Sequence, residues 1–359
     1  MHAKASVPSL RWLVLVGYLL FIYTPYTRAQ LLSDGYRDLI VVKNQVWGLT
    51  ESGHIKVYKS TGEEVKVDSV SDASAELITN AGNDVVVQTG TKIQQWSSTD
   101  STWRVIGSLR SKAFALVVNS KHHVFAITDK GVLDVATNKT LLPASSPNDQ
   151  LTKLTSLRKP TTWFLDRQDN LWLGFGYGEW GGNVFTYDTQ NHRFIDLKFH
   201  DFQINLHPIK SFFHLKSSVG FSSGMQHMMN SGAIGEFNNF NARTLYDTRA
   251  DRDTSTTKQP FVIHPVPYIG PAVYEPETDH IYFYSSLGVF EGKYSGDLSR
   301  LTNWKKLFEP KLHWRIGQPD AVGSPMNVLK MLSLGNGKLV LLTQNDGVGI
   351  WDGQAFKLL

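Results

Sequence analysis

The sequence VFAITDKG at residues 124–131 closely matches VWGLTESG at residues 46–53. Each stretch has four mostly apolar residues, then a threonine, two polar residues and a glycine. Related stretches begin at Val85, Leu171, Val219, Ile281 and Leu339. Successive copies start 39 to 62 residues apart, and a repeat of roughly 40 residues is typical of β-propeller blades.

The residues around each copy predict four β-strands per repeat. Clusters rich in Asn, Asp and Gly precede the copies, as at residues 82–84 and 167–170, and these residue types close tight hairpins because they tolerate positive φ. Alternating apolar and polar runs follow, as at residues 55–58 and 184–187. No stretch of the repeats has helical periodicity. We therefore predict an all-β fold, a β-propeller of seven four-stranded blades. Six or eight blades are the alternative counts, and a β-sandwich is the less favoured architecture.

The first residues have the features of a secretory signal peptide. Lys4 and Arg11 form a basic start, residues 12–22 are apolar, and small residues lead to Ala29. An apolar run of eleven residues is shorter than the ~20 that a membrane-spanning helix needs. We expect cleavage after residue 29, a secreted or periplasmic protein that does not span the membrane, and one propeller domain over residues 30–359.

Charge and cysteine content exclude several functions. The signal segment contains three of the 36 basic side chains and no acidic one, so the rest of the chain has 33 basic against 32 acidic residues. A net charge of +1 argues against nucleic acid as a partner, because nucleic-acid binding rests on a strong basic excess. The absence of cysteine excludes disulfides, thiolate metal sites and a cysteine nucleophile.

One blade resembles a known protein family. Residues 166–188 read DRQDNLWLGFGYGEWGGNVFTYD, and the likeness is carried by Asp169, Asn170, Leu171, Trp172, Gly174, Tyr187 and Asp188. This stretch resembles the propeller repeats in the periplasmic sensor halves of hybrid two-component regulators. The resemblance implies a propeller fold and an exported location, and it indicates nothing about signalling.

Two short motifs match catalytic patterns without the structural context that those patterns require. Residues 220–224, GFSSG, match the nucleophile elbow of serine hydrolases, but that elbow needs a helix after the serine and a strand is expected here. Residues 176–181, GYGEWG, match a phosphate-binding glycine pattern, which also needs a helix where a strand is expected. We interpret the first as a blade strand and the second as a glycine-rich hairpin loop.

Two polar segments have less specific patterns. Met225, His227, Met228 and Met229 together offer the soft ligands that suit Cu(I), although packing of the methionines into an irregular gap is the favoured interpretation. Residues 247–253, DTRADRD, predict a flexible exposed loop.

Nearly all the extra length of the later repeats falls on one side of the predicted ring. The loop between the second and third strands and the connection between blades emerge on the same face. The long segments of that face are residues 143–160, 176–182, 198–207, 224–232, 247–268 and 309–326. Long loops on a rigid scaffold usually carry function.

The composition of these loops predicts a ligand-binding site, because aromatic rings stack on sugars or apolar groups and neighbouring polar groups orient a ligand. Its candidate residues are Glu179, Trp180, His227, His264, Tyr268, His313, Trp314 and Arg315. Aromatic residues at blade junctions can instead simply fill the channel. We assign Trp47, Trp172 and Trp351, which lie in predicted strands, to the core.

The predicted function is that of a non-catalytic binding or scaffold protein that binds a glycan or a protein partner at the long-loop face. We expect no cofactor and no metal. The alternative is a polysaccharide lyase or hydrolase on a propeller scaffold, in which loop histidines and Glu179 supply acid–base chemistry near neutral pH.

Overall fold

The computed structural model describes residues 35–67, 74–97, 99–146, 149–199, 202–226, 230–253, 267–313 and 327–359. The predicted signal peptide lies outside these residues. The chain forms seven four-stranded antiparallel sheets, and the strands of each sheet pair in chain order. This arrangement confirms the predicted seven-bladed β-propeller.

Each blade is a continuous segment of chain. Blade 1 consists of β1 Tyr36–Val42, β2 Gln45–Thr50, β3 Ile55–Lys59 and β4 Glu64–Val65. Blade 2 consists of β5 Leu77–Ala81, β6 Asp84–Thr89, β7 Lys92–Ser97 and β8 Thr102–Ser108. Blade 3 consists of β9 Ala115–Val118, β10 Val124–Thr128, β11 Gly131–Asp134 and β12 Lys139–Leu141. A separate two-stranded hairpin, β13 Ser145–Ser146 and β14 Asp149–Lys153, precedes blade 4.

The later blades are longer. Blades 4 to 7 consist of β15 Thr162–Leu165, β16 Asn170–Gly176, β17 Gly182–Asp188 and β18 Arg193–Ile195; β19 Ile209–Leu215, β20 Ser218–Gln226, β21 Asn230–Asn238 and β22 Asn241–Asp247; β23 Ile269–Glu275, β24 His280–Ser285, β25 Gly288–Lys293 and β26 Lys305–Phe308; and β27 Val328–Gly335, β28 Lys338–Thr343, β29 Val348–Trp351 and β30 Phe356–Leu358. The repeated sequence stretch forms the second strand of every blade.

The helices of the described residues are all short. They are the 3₁₀ helices Gly178–Trp180, Ile204–Leu206 and Leu301–Asn303, and the α-helix α1, Thr248–Asp253. No helix within the described residues is long and apolar enough to cross a bilayer.

The hydrophobic core is divided into wedges between neighbouring blades. The described residues form seven buried clusters, and each cluster combines side chains from two adjacent blades. Because a blade is covered on both faces, its middle strands are largely buried, and β10 and β11 are buried at every position. The fourth strands lie at the rim, and β12 is exposed over its whole length. Trp47, Trp172 and Trp351 are buried in these wedges, which confirms their assignment to the core.

Side-chain packing closes the ring between the last and the first blade. The inner strands β27 and β1 contact each other, and the Nζ atom of Lys330 donates hydrogen bonds of 2.8 Å to Asp38 Oδ1 and to the carbonyl oxygen of Leu39. Side chains from both blades also form a buried cluster, which includes Leu39, Val46, Leu334 and Val340. Within the described residues, neither blade contributes a strand to the sheet of the other, so apolar burial and the partly buried Lys330–Asp38 ion pair hold the closure.

The turns between first and second strands form the short-turn face. Their tight geometry uses the residue types that the sequence predicts, with positive φ at Asn44, Asp169, Asp279 and Asn336. These turns also touch their neighbours across blades. Ser120 donates backbone and hydroxyl hydrogen bonds of 2.9 and 2.5 Å to the two carboxylate oxygens of Asp169.

The segment 247–253 differs from its predicted conformation. The sequence predicts a flexible exposed loop, whereas residues 248–253 form α1. Asp247 Oδ1 accepts a 2.7 Å hydrogen bond from the backbone N–H of Arg249, which caps the helix start. Thr248 Oγ1 bonds the backbone of Gly232, and Asp251 Oδ2 accepts a hydrogen bond from Leu301 N. Contacts to distant parts of the chain therefore order this segment, and a local pattern cannot show them.

Candidate functional site

The long-loop face is built from insertions that pack on one another. The 3₁₀ helix Gly178–Trp180 lies in the loop between β16 and β17 and contacts the 3₁₀ helix Ile204–Leu206 of the next connection. The two segments fit closely, because a Cβ atom on Gly182 would lie 2.2 Å from the carbonyl oxygen of His207. The loop of blade 4 is thus a structured part of this face.

Trp180 is the most exposed large apolar side chain among the described residues, at 79%. It ends the short helix, and Gly178 and Gly181 on either side have φ values of 65° and 81° that favour glycine. Two aliphatic side chains of loops on the same face are exposed: Leu206 at 40% and Leu287 at 37%. The described part of the long-loop face in the later blades therefore presents an indole and two leucines to solvent.

Tyr268 occupies a different environment from Trp180. It is buried at 2% exposure just before β23, and its ring packs beside Gly224 of blade 5. The Nζ atom of Lys210 lies 5.5 Å from the ring centroid. Burial raises the pKa of the Tyr268 hydroxyl and lowers the pKa of the Lys210 ammonium to about 8. Tyr268 thus contributes to the junction between blades 5 and 6 below the exposed surface.

His313 lies in the connection between blades 6 and 7. Its Nδ1 atom and its backbone N–H both bond the carboxylate of Asp346, which lies in the loop between β28 and β29. Its carbonyl oxygen accepts hydrogen bonds of 2.9 Å from the side-chain amides of Asn327 and Asn345. These contacts fix His313 to blade 7 on the long-loop face.

The remaining predicted site residues cannot be placed. His227, His264, Trp314 and Arg315 lie outside the described residues, and so does the side chain of Glu179. His227, Met228 and Met229 of the methionine-rich segment are also outside them, so the copper hypothesis remains a prediction. Among the described side chains, no group of three or more His, Asp or Glu residues could hold a metal ion.

Both catalytic-looking motifs have the structures expected from their context. Ser222 lies inside strand β20, is fully buried, and its hydroxyl is 2.7 Å from the hydroxyl of Ser211. The chain continues along the strand past Ser222, so the turn into a helix that a nucleophile elbow requires is absent there. Residues 176–181 form the hairpin loop between β16 and β17.

His207 is a buried histidine of the long-loop face that composition alone does not distinguish from its exposed neighbours. Its ring stacks on Phe202 at 4.5 Å, and Nδ1 lies 3.2 Å from Ser223 Oγ. Burial lowers the pKa of His207 to about 4; Asp247 opposes this shift and Arg249 adds to it. The imidazole is therefore neutral near physiological pH and serves the packing of this face.

Acidification should destabilise the protein through His207. Its pKa is about 4 in the folded state against an ordinary value of 6.5, so the unfolded state binds the proton more readily between these values. The neutral form stabilises the fold fully above pH 6.5, and this contribution falls by up to about 3 kcal/mol as the pH drops toward 4. Urea unfolding at several pH values should show a shallower pH dependence for His207→Gln than for wild type. The exposed His123→Gln variant is the control, and identical slopes for all three proteins would contradict this prediction.

Comparisons with known proteins support the fold but show no family for this chain. No family model and no curated protein match the chain. Among solved structures, Hsv2 of Kluyvelomyces marxianus matches with a TM-score of 0.50 and 10% identity, covering 89% of this chain and 92% of that one. KlHsv2 with loop 6CD replaced by a Gly-Ser linker matches with a TM-score of 0.51 and 11% identity, covering 91% and 98%. The Neurospora crassa Pan2 WD40 domain has a TM-score of 0.49 and 10% identity, covering 90% and 89%. Likeness at such low identity shows the fold alone.

Proposed function

We propose that this protein is an exported, non-catalytic binding or scaffold protein whose long-loop face binds a partner protein. The observation that carries the proposal is the exposed indole of Trp180, which a structured helix presents on a rigid ring. Tryptophan is enriched among the residues that dominate protein–protein binding energy, and a preorganised loop loses little entropy on binding.

The surroundings of Trp180 favour a protein over a glycan. Leu206, in the 3₁₀ helix that contacts the helix of Trp180, is also exposed, and so is Leu287 in the loop between β24 and β25 on the same face. A sugar site combines a flat ring with polar groups that bond the hydroxyls, whereas an aromatic residue among aliphatic ones is typical of a protein interface. A glycan remains an outcome that the experiment can distinguish.

Substitution of Trp180 should weaken partner binding without unfolding the protein. If the indole is a hot spot, Trp180→Ala should cost ~2 kcal/mol of binding free energy or more, a loss of about thirtyfold in affinity. The partner can be captured by cross-linking from the exported fraction of the native cell, and its affinity measured with purified proteins by calorimetry. Val105→Ala is the control, because Val105 is 59% exposed on the rim strand β8 of blade 2.

The same assay separates the competing functions. Undiminished partner affinity in Trp180→Ala would contradict the proposed face, and binding to a glycan array that depends on Trp180 would replace the protein partner by a sugar. Turnover of plant or bacterial polysaccharides that is lost in His313→Ala would instead favour the lyase or hydrolase.

Export, and with it the resemblance to sensor propellers, also belongs to the proposal. Amino-terminal sequencing of the exported protein should give a mature start at residue 30, and a start at Met1 would contradict export by a cleaved signal.

A further inference from the structure

A cavity of about 90 Å³ opens on the short-turn face between blades 4 and 5. Its inner wall is apolar and includes Trp172, Phe237 and Phe240, and its rim includes Arg167, His214 and Lys216. It lies on the face opposite the long loops, so it is independent of the proposed partner site. A small volume with an apolar wall and cationic groups at its mouth is suited to one short chemical group.

The charges at the rim leave one cation available. Lys216 Nζ lies 3.0 Å from Asp279 Oδ1 and is neutralised by it. The Nη1 atom of Arg167 donates a 2.7 Å hydrogen bond to the carbonyl oxygen of Lys216. Within the described residues, the other N–H groups of the Arg167 guanidinium have no hydrogen-bond partner and no ion pair. Arg167 is therefore held in place at the cavity by one bond while its charge is not neutralised.

The one acidic side chain of the lining already has hydrogen-bond donors on both of its oxygens. Asp166 is buried, and its carboxylate accepts hydrogen bonds from the backbone N–H groups of Gln168 and Asn170, from the Asn170 side-chain amide and from the indole N–H of Trp172. These donors hold the Asp166 carboxylate in the turn. Asp166 keeps its charge, but its oxygens are occupied, and Lys216 is paired, so the N–H groups left over for a ligand are those of Arg167, and they suit an anion.

The aromatic wall of the cavity is held by packing and by a backbone hydrogen bond. Phe240 has a φ of 62°, which a bulky residue rarely adopts, and its ring stacks on Trp172 at 5.9 Å. Its carbonyl oxygen accepts a 2.9 Å hydrogen bond from the backbone N–H of Lys198, so the chain is tied at the strained position. The His214 ring packs edge-on against Phe164 at 4.6 Å, and burial, reinforced by Arg167 and opposed by Asp166, lowers the pKa of His214 to about 4. His214 therefore contributes a neutral hydrogen-bonding ring near physiological pH.

We propose that this cavity binds a carboxylate group carried on a short apolar body, with the carboxylate on Arg167 and the apolar part against Trp172 and Phe240. Arginine pairs with carboxylates through parallel hydrogen bonds, and the free side of its guanidinium offers them. A cation would be repelled by Arg167, and inorganic phosphate would leave the aromatic wall without a contact. The carboxylate could come from a free organic acid or from an acidic side chain or carboxyl terminus of a peptide, which have the same chemistry.

The test is a titration of the full-length mature protein with small probes, followed by the indole N–H signal of Trp172 in ¹⁵N–¹H NMR spectra and by calorimetry. The probes are propionate, the neutral isostere propionamide, inorganic phosphate, and short peptides that end in a free or an amidated carboxyl group, with or without a glutamate side chain. Propionate should shift the Trp172 signal, whereas propionamide and phosphate should not. Binding of the free acid, of a peptide, or of both identifies the source, and each of these results supports the site.

Arg167→Gln should lower propionate affinity by about tenfold or more, because it removes a charged hydrogen-bond donor. Arg193→Gln is the matched control, since Arg193 is an exposed arginine next to the other short turn of blade 4 and is not part of the cavity lining. Both side chains are exposed, so both variants should fold, and their dispersed NMR spectra check this. Equal binding of propionate and propionamide, unchanged affinity in Arg167→Gln, or no response to any carboxylate at millimolar concentration would overturn the proposal. These outcomes are independent of the Trp180 assay.

Discussion

Replacement of Trp172 by alanine is expected to destabilise the protein by about 3–5 kcal/mol, the range of large core deletions. The side chain is 2% exposed in the wedge between blades 4 and 5, and its ring lies 4.8 Å from the ring of Phe237 and 5.9 Å from that of Phe212. Its indole N–H donates a 2.9 Å hydrogen bond to Asp166. The substitution therefore opens a cavity and also removes a donor from a buried carboxylate.

Urea unfolding monitored by circular dichroism measures this effect, with Trp180→Ala as the matched control. The two variants lose the same side chain, but Trp180 is 79% exposed, so its removal should change the free energy of unfolding by no more than ~0.5 kcal/mol. A similar loss in both variants would contradict the assignment of Trp172 to the core and of Trp180 to the surface. It would also mean that Trp180 stabilises the fold, which removes the basis of the proposed interface.

Addition of one methyl group at Gly224 is expected to cost about 3 kcal/mol, at the upper end of the range for overpacking. A Cβ atom at this position in β20 would lie 1.8 Å from the carbonyl oxygen of Ile269 and 3.0 Å from a ring carbon of Tyr268. The backbone of β23 can move away only if blades 5 and 6 separate locally. Gly224→Ala should therefore lower the free energy of unfolding and loosen the junction that contains Tyr268.

Gly107→Ala is the matched control for Gly224→Ala. Gly107 also lies in a strand, β8, but its added Cβ atom would be 3.6 Å from Val135 and 3.7 Å from Ile93, which are ordinary contact distances. We expect Gly107→Ala to be neutral within ~0.5 kcal/mol or slightly stabilising, since alanine loses less entropy on folding than glycine. If the two alanine variants unfold at the same urea concentration, the close approach of blades 5 and 6 at Gly224 is wrong.

The repeated sequence stretch predicts the fold well because its information is local. A strand is recognised from alternating apolar and polar residues, and a turn from residues that tolerate positive φ; both patterns span fewer than about ten residues. The sequence repeats this combination of strand and turn patterns seven times. Asp169 and Asp279 have the positive φ values that their turn clusters predict. Trp172 and Trp351 are buried as strand residues in the wedges. The strands, their order and the buried aromatic residues can thus be derived from the chain alone.

The surface of the ring could be predicted only in part. The sequence places Trp180 and Tyr268 together in polar loops, yet Trp180 is exposed and Tyr268 is buried beside Gly224. The difference arises because Tyr268 packs against blade 5, beside Gly224 and Lys210, and nothing within its own loop indicates this. The ordering of α1 by Gly232 and Leu301 has the same origin, since both partners come from distant segments.

The sequence by itself therefore determines the strands and turns of each blade. Which side chains meet between two blades is decided only by the closed ring. Lys330 bonds Asp38 across 292 positions of sequence, and Arg167 meets Lys216 across 49. Residue pairs this far apart meet only when all the blades have stacked in order, and no local period or turn residue encodes the distance between them. The cavity at Arg167 exists for this reason: each wall is an ordinary turn or strand in its own blade, and the space appears where two blades meet.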